Sequence, residues 1–267
     1  MPIDKSANPG TLVMLDIRQI PVLDDNYVYL VREPVSGAVA VVDPALSDEI
    51  MAEADKLGWR ITHILNTHHH SDHIGGNESI KAATKCTIVG PAHDPDRIPG
   101  MDIQVKDGDV YQFGAESAQV FFVPGHTRGH IAYWFKDSDA LFCGDTMFSI
   151  GCGRLFEGTP QQMWTSLSRL RELPPTTRIY CAHEYTASNV RFAVSIDPNN
   201  TALRAYEAEV KAKRARNEPT IPSTLKLERA ANPFLRADAA DLQAAMSMGG
   251  QDPVAVFTEV RRRKDVF

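Results

Sequence analysis

The run Thr67-His68-His69-His70-Ser71-Asp72-His73 places four histidines and a carboxylate within six positions, directly after an apolar, strand-like segment. Neutral imidazoles and carboxylates are the usual ligands of zinc, manganese and iron. His126, His130 and His183 follow further strand-like segments. Buried together, such groups would repel one another on protonation and would be costly to desolvate unless a cation organised them. A solvated histidine-rich loop, a tag or a weak metal sponge, is the plainer alternative. The setting speaks against it, because the run lies inside the chain between a strand at 61–66 and the pair Gly75-Gly76.

Four segments offer donors just after a strand: the histidine run, Pro124-Gly125-His126, Cys143-Gly144-Asp145 and Cys181-Ala182-His183. Strands that end together bring such loops to one place, and proline and glycine permit the sharp turns that aim the next side chain inward. A single catalytic zinc takes three protein ligands and a water. His68, His70, Asp72, His73, His126, Asp145 and His183 make seven. Seven suits two metals sharing a carboxylate, ~3.5–4 Å apart and acting together on the attacking and leaving groups. A binuclear hydrolase is the expectation.

The elements that must position these residues can be read from pattern. Short β-branched or aromatic runs at 27–31, 38–42, 61–65, 119–123, 131–135, 140–143 and 178–181 predict strands in a region running from Leu12 to Ala182. A helix is predicted from Pro160 to Leu170: Thr159 and Gln162 fit a capping box, proline suits the first helical position, and Met163, Leu167 and Leu170 share a face. After His183 the strand signals stop. Leu203, Tyr206 and Val210 have helical spacing, 217–223 reads as a loop, and Asp252-Pro253 opens a last helix with Phe257 and Val260 inward. The expected class is α/β (α+β): two mixed layers at 1–183, which carry the chemistry, and a helical segment at 184–267.

The chain has 267 residues, a net charge of −6, 43% hydrophobic and 23% charged residues, the balance of an ordinary water-soluble protein. The charge is uneven, −8 over residues 1–183 and +2 over 184–267, so a basic end could meet an anionic small molecule. Overall acidity argues against a nucleic-acid partner. No stretch approaches the ~20 apolar residues of a membrane span. Residues 1–20 lack an apolar core flanked by basic residues, so no export signal is expected. Cys86, Cys143, Cys152 and Cys181 lack CxxC spacing, which predicts reduced thiols and a cytoplasmic protein. No obligate protein partner is evident.

The motif His-x-His-x-Asp-His with a distant His, Asp and His resembles the metallo-β-lactamase superfamily. Asp25-Asn26-Tyr27-Val28-Tyr29-Leu30, Gly125-His126-Thr127-Arg128-Gly129-His130, Gly144-Asp145-Thr146, the segment Gly151-Cys152-Gly153-Arg154-Leu155-Phe156-Glu157-Gly158-Thr159, His183-Glu184-Tyr185-Thr186 and Arg261-Arg262-Arg263-Lys264-Asp265 resemble the glyoxalase II (hydroxyacylglutathione hydrolase) family more narrowly. The similarity spans roughly the whole chain. It implies an αββα sandwich with a C-terminal α-helical, substrate-binding domain. His68, His70 and His126 would hold one divalent metal and Asp72, His73 and His183 another, with Asp145 bridging; zinc is foremost, iron and manganese alternatives. It further implies hydrolysis of the thioester S-D-lactoylglutathione to glutathione and D-lactate, the second step of methylglyoxal detoxification, with Asp72 and Asp145 as catalytic residues. Glutathione contacts fall on Arg154, Phe156, Tyr185, Arg261 and Lys264, cations and aromatics suited to a ligand with two carboxylates. Some members have lysine and tyrosine where this chain has Arg154 and Phe156.

Other residues read as supporting groups. His69 should point away from its neighbours, His63 and His93 look like ordinary strand and loop histidines, and His130 and Asp43 suit hydrogen-bond partners of ligands. Cys143 reads as a small core residue. A one-iron persulfide dioxygenase of the same superfamily is the main rival, usually without the helical appendage. A β-lactamase would often place cysteine at Asp145, and a lactonase would lack the basic tail.

Overall fold

The computed structural model describes residues 14–267. The start of the strand-rich region at Leu12, and most of the segment read for an export signal, lie outside that range. Among the described residues, two six-stranded sheets account for most of the strands. The first runs in order β1 (Asp16–Val22), β2 (Asn26–Arg32), β3 (Val39–Val42), β4 (His63–Leu65), β5 (Thr87–Pro91) and β6 (Ile103–Val105), antiparallel up to β3 and parallel beyond it. The second contains β7 (Val110–Phe113), β8 (Glu116–Phe122), β9 (Ile131–Phe135) and β10 (Ala140–Gly144). A separate two-residue hairpin, β11 (Met147–Phe148) and β12 (Gly151–Cys152), follows before β13 (Arg178–Cys181) returns parallel to β10.

Nine α-helices and two short 3-10 helices (Pro95–Arg97 and Pro233–Leu235) complete the described residues: α1 (Asp48–Leu57), α2 (Ser71–Ile74), α3 (Asn77–Thr84), α4 (Pro160–Arg171), α5 (Thr186–Ile196), α6 (Thr201–Ala215), α7 (Leu225–Ala231), α8 (Ala240–Ala245) and α9 (Pro253–Asp265). Strand periodicity explains the layers. On β3, Ala40 and Val42 face the core between the sheets, while Val39 and Val41 face a second layer with Ile50 and Ala54 of α1 and Ile80 of α3. From the second sheet, Tyr133, Phe135 and Phe142 close the inner core, and Met163, Leu167 and Leu170 of α4 are fully buried with it. The αββα sandwich inferred from the motifs is therefore the observed architecture, with helices gathered at the C-terminal end.

β9 and β13 match the predicted bounds, and the capping box of α4 is formed in both directions, Gln162 N–H to the Thr159 hydroxyl at 3.2 Å and Thr159 N–H to the Gln162 side chain at 2.9 Å. The last helix begins as expected, with the Asp252 carboxylate accepting from the Val254 N–H at 2.9 Å. One expectation needs correcting. Strand structure does not stop at His183: β14 (Ser223–Thr224), at the end of the expected loop, pairs antiparallel with β13. Two residues are too few for a period-two pattern to show in sequence.

Candidate metal centre and adjoining cleft

The loops after β4, β8, β10 and β13 meet at one end of the sandwich. The two sheets are stitched there by the Tyr27 N–H to Ala182 carbonyl bond (2.7 Å) and by the Asn26–His183 bridge. The histidine run leaves β4, passes His68, and turns into α2, whose first turn carries Asp72 and whose last carries His73. Asp145 follows Gly144, which sits at φ +48°, a left-handed turn that glycine adopts freely. Gly153 is needed for closeness: a Cβ there would run into the Asp145 carbonyl and the His126 ring.

All seven expected donors come together. His70 Nδ1 lies 3.1 Å from His68 Nε2 and 3.0 Å from His126 Nε2. Asp72, His73 and His183 form a second group, with Asp72 Oδ2 3.5 Å from His73 Nε2 and 3.6 Å from His183 Nε2. Asp145 stands between: Oδ2 is 3.3 Å from His126 Nε2, and Oδ1 is 3.5 and 3.4 Å from the Nε2 atoms of His73 and His183. Donors about 3.4 Å apart are what tetrahedral bonds of ~2.1 Å require. Buried His73 Nε2 and Asp145 Oδ1 find no hydrogen-bond partner among the described residues. Unpaired buried polar atoms facing one another are costly. The donor set therefore fits a pair of divalent cations.

Four of the five donor imidazoles are oriented through their other nitrogen. His73 Nδ1 meets Asp43 Oδ2 (3.1 Å), His183 Nδ1 meets Asp25 Oδ1 (2.8 Å), His126 Nδ1 meets the Arg154 carbonyl (2.9 Å), and His68 Nδ1 meets the Thr67 hydroxyl (3.0 Å). Such partners fix ring orientation and tautomer. His130 is no donor to the cluster: its Nε2 accepts the Asp145 N–H at 3.1 Å, and its ring stacks on His68. The supporting roles expected for His130 and Asp43 agree with this geometry. Asp25 and Asn26, whose amide binds Asp72 Oδ2 at 2.9 Å, are supports the sequence reading quoted in a motif without giving a role.

The electrostatics separate the two groups. Burial drives His68 well below the usual histidine range, and burial together with the His126 ring lowers His70 to about 4. Burial also opposes protonation of His183, but the Asp145 and Asp25 carboxylates override it and raise the group to about 9. Asp145 is opposed by burial too, yet His183 and His73 hold it far below the carboxylate range. It stays an anion.

A cavity of about 550 Å³ opens over the cluster. Tyr185 stacks on His183 with ring centroids 4.8 Å apart, and the exposed Phe156 stands edge-on to His126 and His70 at 5.2 and 5.7 Å. Arg154, Arg261 and Lys264 line the same cavity. Lys264 donates to the Ser188 hydroxyl at 3.0 Å, and burial with nearby Arg261 lowers its ammonium to about 8. Arg261 is only 5% exposed, bound to the Cys152 carbonyl (3.0 Å) and Asp265 (2.8 Å), whereas Lys264 is half-buried. Cys152 thus contributes a carbonyl to this wall. His69 turns away toward Asp94 (3.6 Å) and Arg97, and the buried Cys143 thiol donates to the Met147 carbonyl.

Comparison with known proteins identifies the family. Residues 22–183 match the metallo-beta-lactamase superfamily, and residues 184–267 match the family described as hydroxyacylglutathione hydrolase C-terminus. The hydroxyacylglutathione hydrolase of Methylococcus capsulatus is 56% identical over 254 residues, covering 95% of this chain and 99% of that protein. That of Rhodospirillum rubrum is 59% identical over 253 residues, again 95% and 99%. The chain belongs to the hydroxyacylglutathione hydrolase family. ETHE1 from Myxococcus xanthus shares the fold at a TM-score of 0.65 and 22% identity, over 94% of this chain and 100% of that one.

Proposed function

We propose that this chain hydrolyses hydroxyacyl thioesters of glutathione, S-D-lactoylglutathione foremost, to glutathione and a 2-hydroxy acid. The observation that carries the reading is the facing set of seven donors at the floor of a cavity walled by aromatic and cationic side chains. His68, His70 and His126 would hold one cation, and Asp72, His73 and His183 the other, with Asp145 reaching both. Two such cations, zinc first and iron or manganese as alternatives, supply an activated water near neutral pH and offset negative charge developing on the thioester carbonyl.

The chain's own residues do the rest. Asn26 pins Asp72, which leaves that carboxylate placed to orient the attacking water as well as to bind. Asp25 and Asp43 keep His183 and His73 in the tautomer that presents Nε2. The departing thiolate is a good leaving group, so no dedicated general acid is required. Lys264 and Arg154 would pair with glutathione carboxylates, while Phe156 and Tyr185 flank the acyl end and Arg261 buttresses the wall from behind and closes one side of the cleft. Division into a catalytic part at 1–183 and a helical substrate-binding part at 184–267 belongs to this reading.

The reading requires neither nucleic acid nor an obligate protein partner. Among the described residues no helix is long and apolar enough to cross a membrane, and the four free, buried cysteines support a cytoplasmic setting. The test is an assay of metal-loaded protein on S-D-lactoylglutathione, followed by loss of thioester absorbance. Turnover with release of free thiol is expected. Metal-loaded protein that leaves the thioester intact while consuming oxygen with glutathione persulfide would overturn the proposal in favour of the dioxygenase.

A further inference from the structure

The hairpin β11–β12 joins the metal cluster to the substrate wall, for Asp145 precedes it, Phe148 and Cys152 line the cavity, and Arg154 follows. Its turn is an unfavourable one. Ile150, a β-branched residue, sits at φ +56° and is fully buried. Side chains disfavour that region, so the surrounding structure must hold the turn in place.

The holding groups come from the helical segment at the end of the chain. Glu228 of α7 is fully buried and accepts the Ile150 N–H at 2.8 Å through Oε2. The same oxygen accepts from the Asn232 amide (2.9 Å), which also donates to the carbonyls of Gly151 (3.0 Å) and Phe148 (3.3 Å). Tyr206 of α6 meets the Ser149 hydroxyl at 3.0 Å. All four residues from Phe148 to Gly151 are thus gripped by side chains of α6, α7 and the cap of α7. The grip does not reach the metal donors, for neither Glu228 nor Asn232 contacts one of the seven through any hydrogen bond among the described residues. Carboxylates are rarely buried without a charged partner, and Glu228 Oε1 has no hydrogen-bond partner among the described residues. Apolar packing alone would hold α7 at less cost.

We infer that Glu228 and Asn232 are positioning residues for substrate: they clamp the 148–151 turn so that Phe148 and the Cys152–Arg154 strip keep the shape of the glutathione cleft. The inference rests on the thioesterase reading above. It separates binding from chemistry, because the clamp touches the cleft wall and leaves the donors alone.

The experiment compares metal-loaded wild type with Glu228→Gln, Glu228→Leu and Asn232→Ala on S-D-lactoylglutathione, with elemental analysis of each. Glu228→Leu and Asn232→Ala should raise KM about tenfold or more with kcat within about threefold and two metals retained, the pattern of lost uniform binding. Glu228→Gln keeps an oxygen to accept the Ile150 N–H, and should restore KM to within about twofold of wild type. A KM unchanged in Asn232→Ala and Glu228→Leu, a kcat loss that parallels metal loss, or a Gln variant as impaired as Leu would each overturn the clamp. Should the Leu variant fail to fold, the Asn232→Ala and Gln pair decides alone. An inactive wild type would refute the thioesterase reading itself, a different outcome from active enzymes with equal KM.

Discussion

Replacing Asp25 tests whether the second donor group depends on its outer support. Asp25 Oδ1 lies 2.8 Å from His183 Nδ1, and the carboxylate is 39% exposed while the ring is 5% exposed. The Asp25 backbone carbonyl also accepts the Glu184 N–H at 2.9 Å, a bond that substitution leaves in place, so the loop should keep its path. Removing a carboxylate that orients a metal-bound imidazole lowers affinity by roughly 10–100-fold, about 1.4–2.7 kcal/mol. Solvent screening of a partly exposed carboxylate puts Asp25→Ala at the lower end, roughly tenfold. Asp25→Asn retains an acceptor without the charge and should lose about threefold. The first group should not respond, because His126 is held by the Arg154 carbonyl and His68 by Thr67. Titration with a chromophoric chelator, coupled to anomalous diffraction of crystals at limiting metal, reads both sites. Equal loss from the two groups, or no loss from either, would refute the support assigned to Asp25.

Two further outcomes are expected. Asp145→Ala should weaken metal binding at both groups, since its two oxygens face His126 on one side and His73 and His183 on the other; elemental analysis finding two firmly held metals and full activity would contradict that role. Lys264, held near 8 against a usual 10.5, should lose substrate affinity as pH rises through about 8, and Lys264→Met should raise KM about tenfold and abolish this pH limb. The stability sign is opposite. The unfolded chain binds the extra proton between 8 and 10.5, so wild-type stability should rise with pH across that window, and the Met variant's should not, as thermal melts at several pH values will report.

The donors were legible because chemistry constrains their types and spacing, and the strands before them carry dense β-branched or aromatic runs. β9, at 131–135, is buried at every position and reads as a strand without ambiguity. β1, β5, β6 and β7 were among the strands not foreseen. β1 and β5 each carry a proline, Ile103 and Gln104 of β6 are exposed on an edge, and in β7 the 66% exposed Val110 hides the inward pair Tyr111 and Phe113. The supports were harder still. Asp25 and Asn26 act through partners more than forty residues away in the chain, and nothing local marks a carboxylate as an imidazole's partner. Arg261 was read as a substrate contact from its place in the Arg-Arg-Arg-Lys run; only the fold reveals that it is buried against the Cys152 carbonyl while the next two arginines pair with Glu259.

β14 has a consequence for how the molecule stays soluble while it is made. β13 leads directly to His183, and its outer edge is covered by Ser223–Thr224, residues synthesised well after it. Until they emerge, Arg178 and Ile179 present free N–H and C=O groups to any passing strand. Once in place, the covering strand offers little in return. It is two residues long and runs straight into α7, whose first residue, Leu225, already donates its N–H to the Thr177 carbonyl at 2.9 Å. The late-made segment that shapes the cleft therefore also seals the sheet against intermolecular pairing, so shedding it would expose a sticky border beside His183.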